Sequence, residues 1–169
     1  MSRKASDIVL LIVIIAIVIA LDRWSKYWIV TNIRLEDGFT VIKNFFNIVY
    51  VRNFGGAFSI LQHRKELFII TGTLVPLIII LFLRNRMFEN KICLLSCAMI
   101  IGGALGNLYD RIVYGYVIDF LQFGRFPVFN IADSCITVGV FILAIVLIKD
   151  DMKQNKKIEN QESVESENA

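Results

Sequence analysis

Residues 92–111 read ICLLSCAMIIGGALGNLYDR, an apolar run that ends in a polar and charged cluster. The apolar part is close to the roughly 17 to 25 residues that cross the hydrocarbon of a bilayer as a helix. Gly102, Gly103 and Gly106 are small residues of the kind that let helices pack closely in lipid. The stretch therefore predicts a membrane helix that packs against other helices and ends in polar side chains.

Three further apolar runs lie on either side of this stretch, at residues 8–21, 67–83 and 131–148. Of the 169 residues, 56% are hydrophobic and 20% are charged, and the mean hydropathy is +0.64, which does not suit a water-soluble globule. We therefore predict an all-α membrane protein with four transmembrane helices. The net charge of +3 is small and the basic residues are scattered, so no nucleic-acid partner is expected.

The first apolar run is too short to span a membrane by itself. Residues 8–21 rise only about 21 Å as a helix, short of a hydrocarbon core of roughly 30 Å. We predict that the helix continues through residues 22–28, with Asp22 at the membrane boundary and Lys26 reaching toward the lipid headgroups. The aromatic residues of this extension resemble an interfacial belt. The alternative is a cleaved secretory signal, because basic residues precede the run and residues 18–20 resemble a weak cleavage site.

The distribution of basic residues predicts the orientation in the membrane. Lysine and arginine are densest in residues 1–7, in residues 84–91 and after Lys149, so we expect both termini to be cytoplasmic. The opposite, extracytoplasmic face then receives residues 23–64 and 111–129. Long loops such as the first of these translocate with less regard to their charge.

The first extracytoplasmic segment has the composition of a small sheet. Residues 39–42 and 45–51 are rich in aromatic and β-branched side chains, which predicts short strands within a β segment of about residues 33–60. Residues 52–59 follow as a loop in which Gly55 and Gly56 allow a sharp turn or the close approach of a ligand. An ordinary hairpin end explains the same residues equally well.

The polar end of the chain contrasts with everything before it. Residues 149–169 are too polar to bury a core and are predicted to be a disordered cytoplasmic tail. Residues 1–148 then form the membrane domain.

The cysteines and the histidine give little support to a metal site. Cys93, Cys97 and Cys135 all fall in apolar runs, where a free thiol behaves as a small hydrophobe. Cys93 and Cys97 are one helical turn apart and could supply half of a metal site, but His63, the single histidine, lies in another segment. We therefore expect packing roles, no disulfide framework, and no metal or other cofactor.

Polar side chains at the ends of the apolar runs are costly in lipid and need partners or a task. Asn130 is a good helix N-cap, and Asp133 would then occupy the third helical position, where a carboxylate meets unpaired amides. Asp110 beside Arg111 suggests a local ion pair at a helix end. Asp119, embedded in VIDF at residues 117–120, has neither explanation.

Two carboxylates that approach each other in such a setting can perform acid–base chemistry. Repulsion and desolvation would make Asp119 and Asp133 share one proton, so that one acts as base and the other as acid. Hydrolysis of a peptide bond by an aspartyl mechanism is the reaction that fits. A small transporter or channel subunit, with Asp22, Asp119 and Asp133 as cation ligands, is the main alternative. The other alternative is a membrane scaffold protein, in which the polar residues only fix helix packing.

Five motifs, in order along the chain, resemble those of the lipoprotein signal peptidase family, signal peptidase II. They are DRWSK at residues 22–26, RNFGGAF at 52–58, GALGNLYDR at 103–111, VIDF at 117–120 and FNIADS at 129–134. The resemblance implies four transmembrane helices with an extracytoplasmic β-cradle. It also implies a bacterial cytoplasmic-membrane enzyme that cleaves prolipoproteins before a lipid-modified cysteine.

The same resemblance implies roles for individual residues. Asp119 and Asp133 match the catalytic aspartates of that family. Substrate-site positions are matched by Asn53, Asn107, Arg111 and Asn130, and positions that support the site by Asp22, Lys26 and Asp110. The implied partners are lipid-modified prolipoproteins and membrane lipids, and the enzyme is expected to be a monomer with its active site toward the extracytoplasmic face.

Overall fold

The computed structural model describes residues 3–56, 64–86 and 90–167 and has four long helices and a small sheet. In chain order the elements are α1 (Arg3–Asn32), β1 (Gly38–Ile42), β2 (Phe46–Asn53), α2 (Lys65–Arg86), α3 (Lys91–Val113), β3 (Val117–Phe123) and α4 (Ile131–Glu167). Each predicted apolar run lies within one helix. The first helix continues without a break past Asp22, as its short apolar run predicted.

Three helices in the described part of the chain are long and apolar enough to cross a membrane: Ala5–Asn32, Lys91–Val113 and Ile131–Lys156. The prediction of a mostly helical membrane fold with a small sheet is confirmed in this form. The helix α2, which contains Pro76, is formed but is not among the three, so a four-span arrangement stays a prediction.

The helix α3 lies at the centre of the bundle and contacts α1, α2 and α4. Its glycines permit this position, as predicted, because they face other helices at very short range. A Cβ atom on Gly102 would lie 2.8 Å from the Val18 Cβ of α1, and one on Gly103 would lie 2.5 Å from the Ala132 backbone oxygen of α4. In lipid the hydrophobic effect does not hold helices together, so this close van der Waals packing does so instead.

The sheet is antiparallel in the order β1-β2-β3 and rests against the C-terminal part of α1. Ile29 of α1, Tyr50 of β2, and Ile118 and Phe120 of β3 form a buried apolar cluster that attaches the sheet to the helix. The two strands predicted at residues 39–42 and 45–51 are confirmed. The third strand, β3, lies outside the predicted β segment of residues 33–60.

The polar C-terminal segment differs from its prediction. Where disorder was expected from residue 149, α4 continues as a helix to Glu167. The segment lacks glycine and proline and is rich in lysine, glutamine and glutamate, which extend a helix that the apolar part has already nucleated. The division of the chain at residue 148 stays a prediction.

Candidate active site

The return of the chain after β3 brings the two predicted aspartates to one end of the bundle. Asp119 lies on β3, and Asp133 lies in the first turn of α4. Between them the chain turns at Gly124, whose φ of 52° is in the left-handed region that glycine adopts easily. Phe129 then pairs with Leu121 of β3, so the short link folds back and places Asn130 beside Asp119.

The start of α4 is a reciprocal cap, as the spacing of Asn130 and Asp133 predicted. The Asn130 Oδ1 accepts the backbone N–H of Asp133 at 2.9 Å, and the Asp133 Oδ2 accepts the backbone N–H of Asn130 at 3.2 Å. Capping occupies only one carboxylate oxygen of Asp133. The other, Oδ1, accepts the Nδ2 of Asn107 at 2.7 Å, so the cap residue also belongs to the site.

Two asparagine amides hold the carboxylate of Asp119. Its Oδ1 accepts the Asn130 Nδ2 at 2.7 Å, and its Oδ2 accepts the Asn53 Nδ2 at 2.8 Å. A bulge in β2 sets the register that pairs Asn53 with Val117 and Val51 with Asp119, which brings the Asn53 side chain to the carboxylate. The side chain of Asp119 is buried, with 2% of the residue exposed.

Asn107 and Asn130 link the two aspartates. The Asn107 Oδ1 accepts the Asn130 Nδ2 at 3.0 Å, while the Asn107 Nδ2 donates to Asp133. The same Asn130 amide donates to Asp119, so a chain of amide groups connects one carboxylate to the other. We call Asp119 and Asp133 the carboxylate pair. The structure thus brings together the four predicted residues that form this chain.

Burial and mutual repulsion change the proton affinity of the pair. Burial raises the pKa of Asp119 from 3.8 to about 7, and the negative charge of Asp133 adds to this rise. The hydrogen bonds from Asn53 and Asn130 and the positive charge of Lys26 lower the pKa of Asp119 but do not cancel the effect. Near neutral pH the Asp119 carboxyl therefore exchanges a proton readily, as an acid–base catalyst must.

Arg111 has other partners than the sequence suggested. Its Nη2 donates to the backbone oxygen of Gly55 at 3.2 Å, and its guanidinium lies 4.7 Å from the centre of the Phe68 ring. The predicted Asp110–Arg111 ion pair is wrong, because Asp110 contacts Arg23 and Lys26 of α1 instead. Arg111 instead connects the loop after β2 to the mouth of the site.

Asp110 belongs to a second charged cluster, which we call the ion layer and which consists of Asp22, Arg23, Lys26 and Asp110. Asp22 contacts Arg23 at 2.7 Å and Lys26 at 2.9 Å, and Asp110 contacts the same two cations at 2.5 Å and 2.8 Å. Lys26 is only 1% exposed, so the prediction that it reaches the headgroups is wrong. Its ammonium instead contacts Asp22, Asp110 and the Asn107 side-chain oxygen inside the bundle.

Arg23 is the member of this layer that was not predicted as a site residue. It pairs with both acids, and its guanidinium lies 4.7 Å from the centre of the Tyr109 ring. The available signal was the spacing in DRWSK, where a second cation follows Asp22 directly at the end of an apolar run. The layer fastens α1 to α3, and its Lys26 contacts Asn107, a partner of Asp133.

A cavity of about 640 Å³ opens beside the pair and is lined by α2, α3, α4 and the segment after β3. Asp119 and Asp133 lie on its wall with Asn53, Asn107 and Arg111. The remaining wall is largely apolar and includes Phe68, Val75, Ile100, Ile136 and Val138. The cavity therefore joins a polar end, which holds the carboxylates, to an apolar part between the helices.

The described residues show no cluster of side chains that could bind a metal ion. No group of three or more histidine, cysteine, aspartate or glutamate side chains in these ranges is placed to hold an ion. Cys93 and Cys97 are 3% and 0% exposed and pack in an apolar cluster with Leu83, Leu94 and Ile101. His63 lies outside the described residues.

Most of the chain is similar in sequence to proteins of one known family. The family described as "Signal peptidase (SPase) II" matches residues 14–149. The lipoprotein signal peptidase of Clostridium tetani is 40% identical over 153 residues, which cover 87% of this chain and 97% of that protein. The lipoprotein signal peptidase of Caldanaerobacter subterraneus is 45% identical over 138 residues, covering 81% of this chain and 94% of that protein.

A solved structure gives the same result for the fold. A bacterial membrane enzyme determined by the in meso method superposes with a TM-score of 0.79 at 35% identity, over 83% of this chain and 88% of that one. Sequence, fold and the matched length all point to one group of membrane proteases. The chain belongs to the signal peptidase II family.

Proposed function

We propose that this protein is a membrane aspartic endopeptidase that removes signal peptides from bacterial prolipoproteins, cleaving before the diacylglyceryl-modified cysteine. Asp119 and Asp133 are its catalytic residues. The observation that carries the proposal is that two carboxylates, linked by Asn107 and Asn130, lie on the wall of one cavity at the end of the bundle. The relatives that match nearly their whole length are lipoprotein signal peptidases.

The carboxylate pair can hydrolyse a peptide bond with a single shared proton. The ionised carboxylate takes a proton from water as the water oxygen attacks the scissile carbonyl carbon, and the protonated carboxyl gives its proton to the carbonyl oxygen. The tetrahedral diol then returns a proton through the pair to the amide nitrogen. The C–N bond breaks, a carboxylic acid and an amine leave, and the pair again holds one proton.

The surroundings of the pair suit this cycle. Asn53, Asn107 and Asn130 donate N–H groups that hold the carboxylates in place while a water molecule reacts between them. Arg111 lies at the polar end of the cavity, where it can bind the extended peptide on either side of the scissile bond. The role proposed for these four residues is therefore substrate and carboxylate positioning.

The apolar part of the cavity suits a substrate that is itself anchored in the membrane. Apolar side chains of α2, α3 and α4 line this part of the cavity. A signal helix and acyl chains that diffuse in the bilayer could enter between helices without leaving lipid. We propose four spans, with cytoplasmic termini, an extracytoplasmic site and a monomeric enzyme in the bacterial cytoplasmic membrane.

The cation-transport alternative is weakened by the partners of Asp22. That reading needed Asp22, Asp119 and Asp133 to act as successive ligands. The Asp22 Oδ2 contacts Arg23 and Lys26, and its Oδ1 accepts the backbone N–H of Ala132 at 3.3 Å. A carboxylate with these partners serves helix packing, which leaves the carboxylate pair without the third acid.

Cleavage of a defined substrate tests the proposal. The purified chain in lipid vesicles is incubated with a prolipoprotein that carries a diacylglyceryl-modified cysteine and, separately, with the same protein unmodified. We expect one cut, directly before the modified cysteine, and mass spectrometry of both products locates it. Absence of cleavage, or equal cleavage of the unmodified protein at another bond, would overturn the proposed function.

A further inference from the structure

We propose that Lys26 is a positioning residue for peptide hydrolysis, because its ammonium holds the oxygen of the Asn107 amide and so turns the amide N–H toward Asp133. This inference rests on the proposed function of the carboxylate pair. It gives Lys26 a role in the reaction beyond its part in the ion layer.

The Lys26 ammonium contacts an uncharged amide in addition to the two acids of the ion layer. Its Nζ lies 2.9 Å from the Asp22 Oδ2, 2.8 Å from the Asp110 Oδ2 and 3.0 Å from the Asn107 Oδ1. The contacts with Asp22 and Asn107 are hydrogen bonds, and the contact with Asp110 is an ion pair. Two of these contacts neutralise acids, together with Arg23. The third goes to an uncharged amide and contributes nothing to neutralisation.

That third contact decides which way the Asn107 amide faces. An ammonium only donates hydrogen bonds, so the amide atom that faces it is the oxygen. The nitrogen of the same amide then faces the Asp133 Oδ1 at 2.7 Å. A rotated amide would set its N–H₂ against the ammonium and its oxygen against the carboxylate, and both contacts would be repulsive. Asn130 supports the same orientation by donating to the Asn107 oxygen.

Arg23 provides an internal comparison within the ion layer. It pairs with Asp22 and Asp110, as Lys26 does, and its further hydrogen bond goes to the backbone oxygen of Gly106 at 3.4 Å. It makes no hydrogen bond to Asn107 in the described part of the chain. A purely structural ion layer should therefore respond alike to loss of either cation, whereas a positioning role belongs to Lys26 alone.

Two charge-balanced double variants separate these accounts. Lys26→Met with Asp110→Asn and Arg23→Met with Asp110→Asn each leave Asp22 with one cation, so neither buries an unpaired charge. We expect the two to have similar thermal unfolding temperatures in lipid. Cleavage of the lipid-modified prolipoprotein should show a kcat about 10- to 100-fold lower in the Lys26 variant than in the Arg23 variant, with KM little changed, as for a lost hydrogen bond to a charged group.

A second measurement does not depend on the size of the kcat loss. The charged groups around Asp119 are Asp133 from α4, Lys26 from α1 and Arg111 from α3. Because the charge of Lys26 lowers the pKa of Asp119, its removal should move the alkaline limb of the kcat–pH profile to higher pH. The Arg23 variant should keep the profile of the parent enzyme.

A third measurement tests whether Lys26 and Asn107 act through the same hydrogen bond. Adding Asn107→Ala to the Lys26 double variant should lower kcat by little more than Asn107→Ala alone, since the two changes remove one hydrogen bond. Equal kcat losses in the Lys26 and Arg23 variants, or multiplicative effects with Asn107→Ala, would overturn the positioning role. Parent enzyme that does not cleave the substrate refutes the proposed function itself, so the two failures are distinct.

Discussion

The carboxylate pair and the ion layer both contain buried aspartates at the same end of the bundle, but the groups that contact them differ. In the ion layer, Asp22 and Asp110 each contact two cations and are 0% exposed. In the pair, Asp119 is 2% exposed, and the hydrogen-bond donors to both acids among the described residues are uncharged N–H groups.

This difference separates structure from chemistry. Four charges that cancel hold α1 against α3. Two acids supported only by amides repel each other, and burial together with this repulsion raises the pKa of Asp119 to about 7. Burial alone therefore does not identify a catalytic acid in a membrane protein. The absence of a direct ion pair to Asp119 or Asp133 among the described residues is the better criterion.

The largest effect should come from neutralising the pair. Asp119→Asn and Asp133→Asn each remove the acid–base function, and we expect cleavage of lipid-modified prolipoprotein to fall roughly 10²- to 10⁴-fold. Asp151→Asn, an exposed acid on the same helix as Asp133, is the matched control and should cleave normally. Rates from reconstituted vesicles check this. A pair variant that keeps more than a tenth of the parent rate would remove the chemical distinction between the two regions.

Substitutions in the ion layer should lower stability, whereas substitutions in the carboxylate pair should lower the cleavage rate. Asp110→Asn leaves the buried Lys26 and the half-buried Arg23 with one acid, so we expect the free energy of unfolding to fall by about 3–5 kcal/mol. The charge-balanced Arg23→Met/Asp110→Asn variant should recover part of that loss. Thermal unfolding in lipid measures both proteins. A greater loss of stability in the balanced variant would contradict charge balance as the source of the layer's stability. An Asp110→Asn enzyme that folds normally but has no kcat would show that Asp110 itself takes part in the chemistry.

A smaller effect is expected from crowding the ion layer. Gly106→Ala places a Cβ 2.7 Å from the Asp22 Oδ2, and overpacking of this kind costs about 1–3 kcal/mol of unfolding free energy. Gly72→Ala is the control, because its Cβ would meet Leu108 at an ordinary 3.5 Å. If both variants unfold at the parent temperature, the contact between α1 and α3 is looser than described.

The smallest expected effect concerns one donor to the pair. Asn53→Ala removes an N–H group from Asp119, and because that hydrogen bond lowers the pKa of Asp119, the alkaline limb of the kcat–pH profile should move upward. Asn47→Ala, on the same strand but bonded to Thr40 and Gln122, should leave the profile in place. A downward shift for Asn53→Ala would contradict the arrangement at Asp119.

Local features of this molecule could be predicted from the sequence. Apolar length sets the positions of the helices, since a run that crosses hydrocarbon must satisfy its own backbone hydrogen bonds. The cap formed by Asn130 and Asp133 is also local, because both partners lie within one turn of α4. Asp119 could be singled out for the same reason, since neither a cap nor a neighbouring cation accounts for it.

Long-range features could not be predicted in this way. The strand β3 pairs with β2, more than sixty residues earlier, so its short apolar sequence does not reveal its partner. The direction of Lys26 depends on Asp110 and Asn107, which lie on another helix. A flexible cation at the end of an apolar run can point outward to headgroups or inward to acids, and only the packed bundle decides between them.

The pH dependence of kcat for lipid-modified prolipoprotein tests the central claim most directly. Catalysis requires one proton on the pair, and Asp119, with a pKa of about 7, loses its proton as the pH rises through that value. We therefore predict that kcat falls on the alkaline side, with a midpoint near the Asp119 pKa. A kcat that stays constant or rises between about pH 6 and pH 9 would contradict a shared proton as the basis of catalysis.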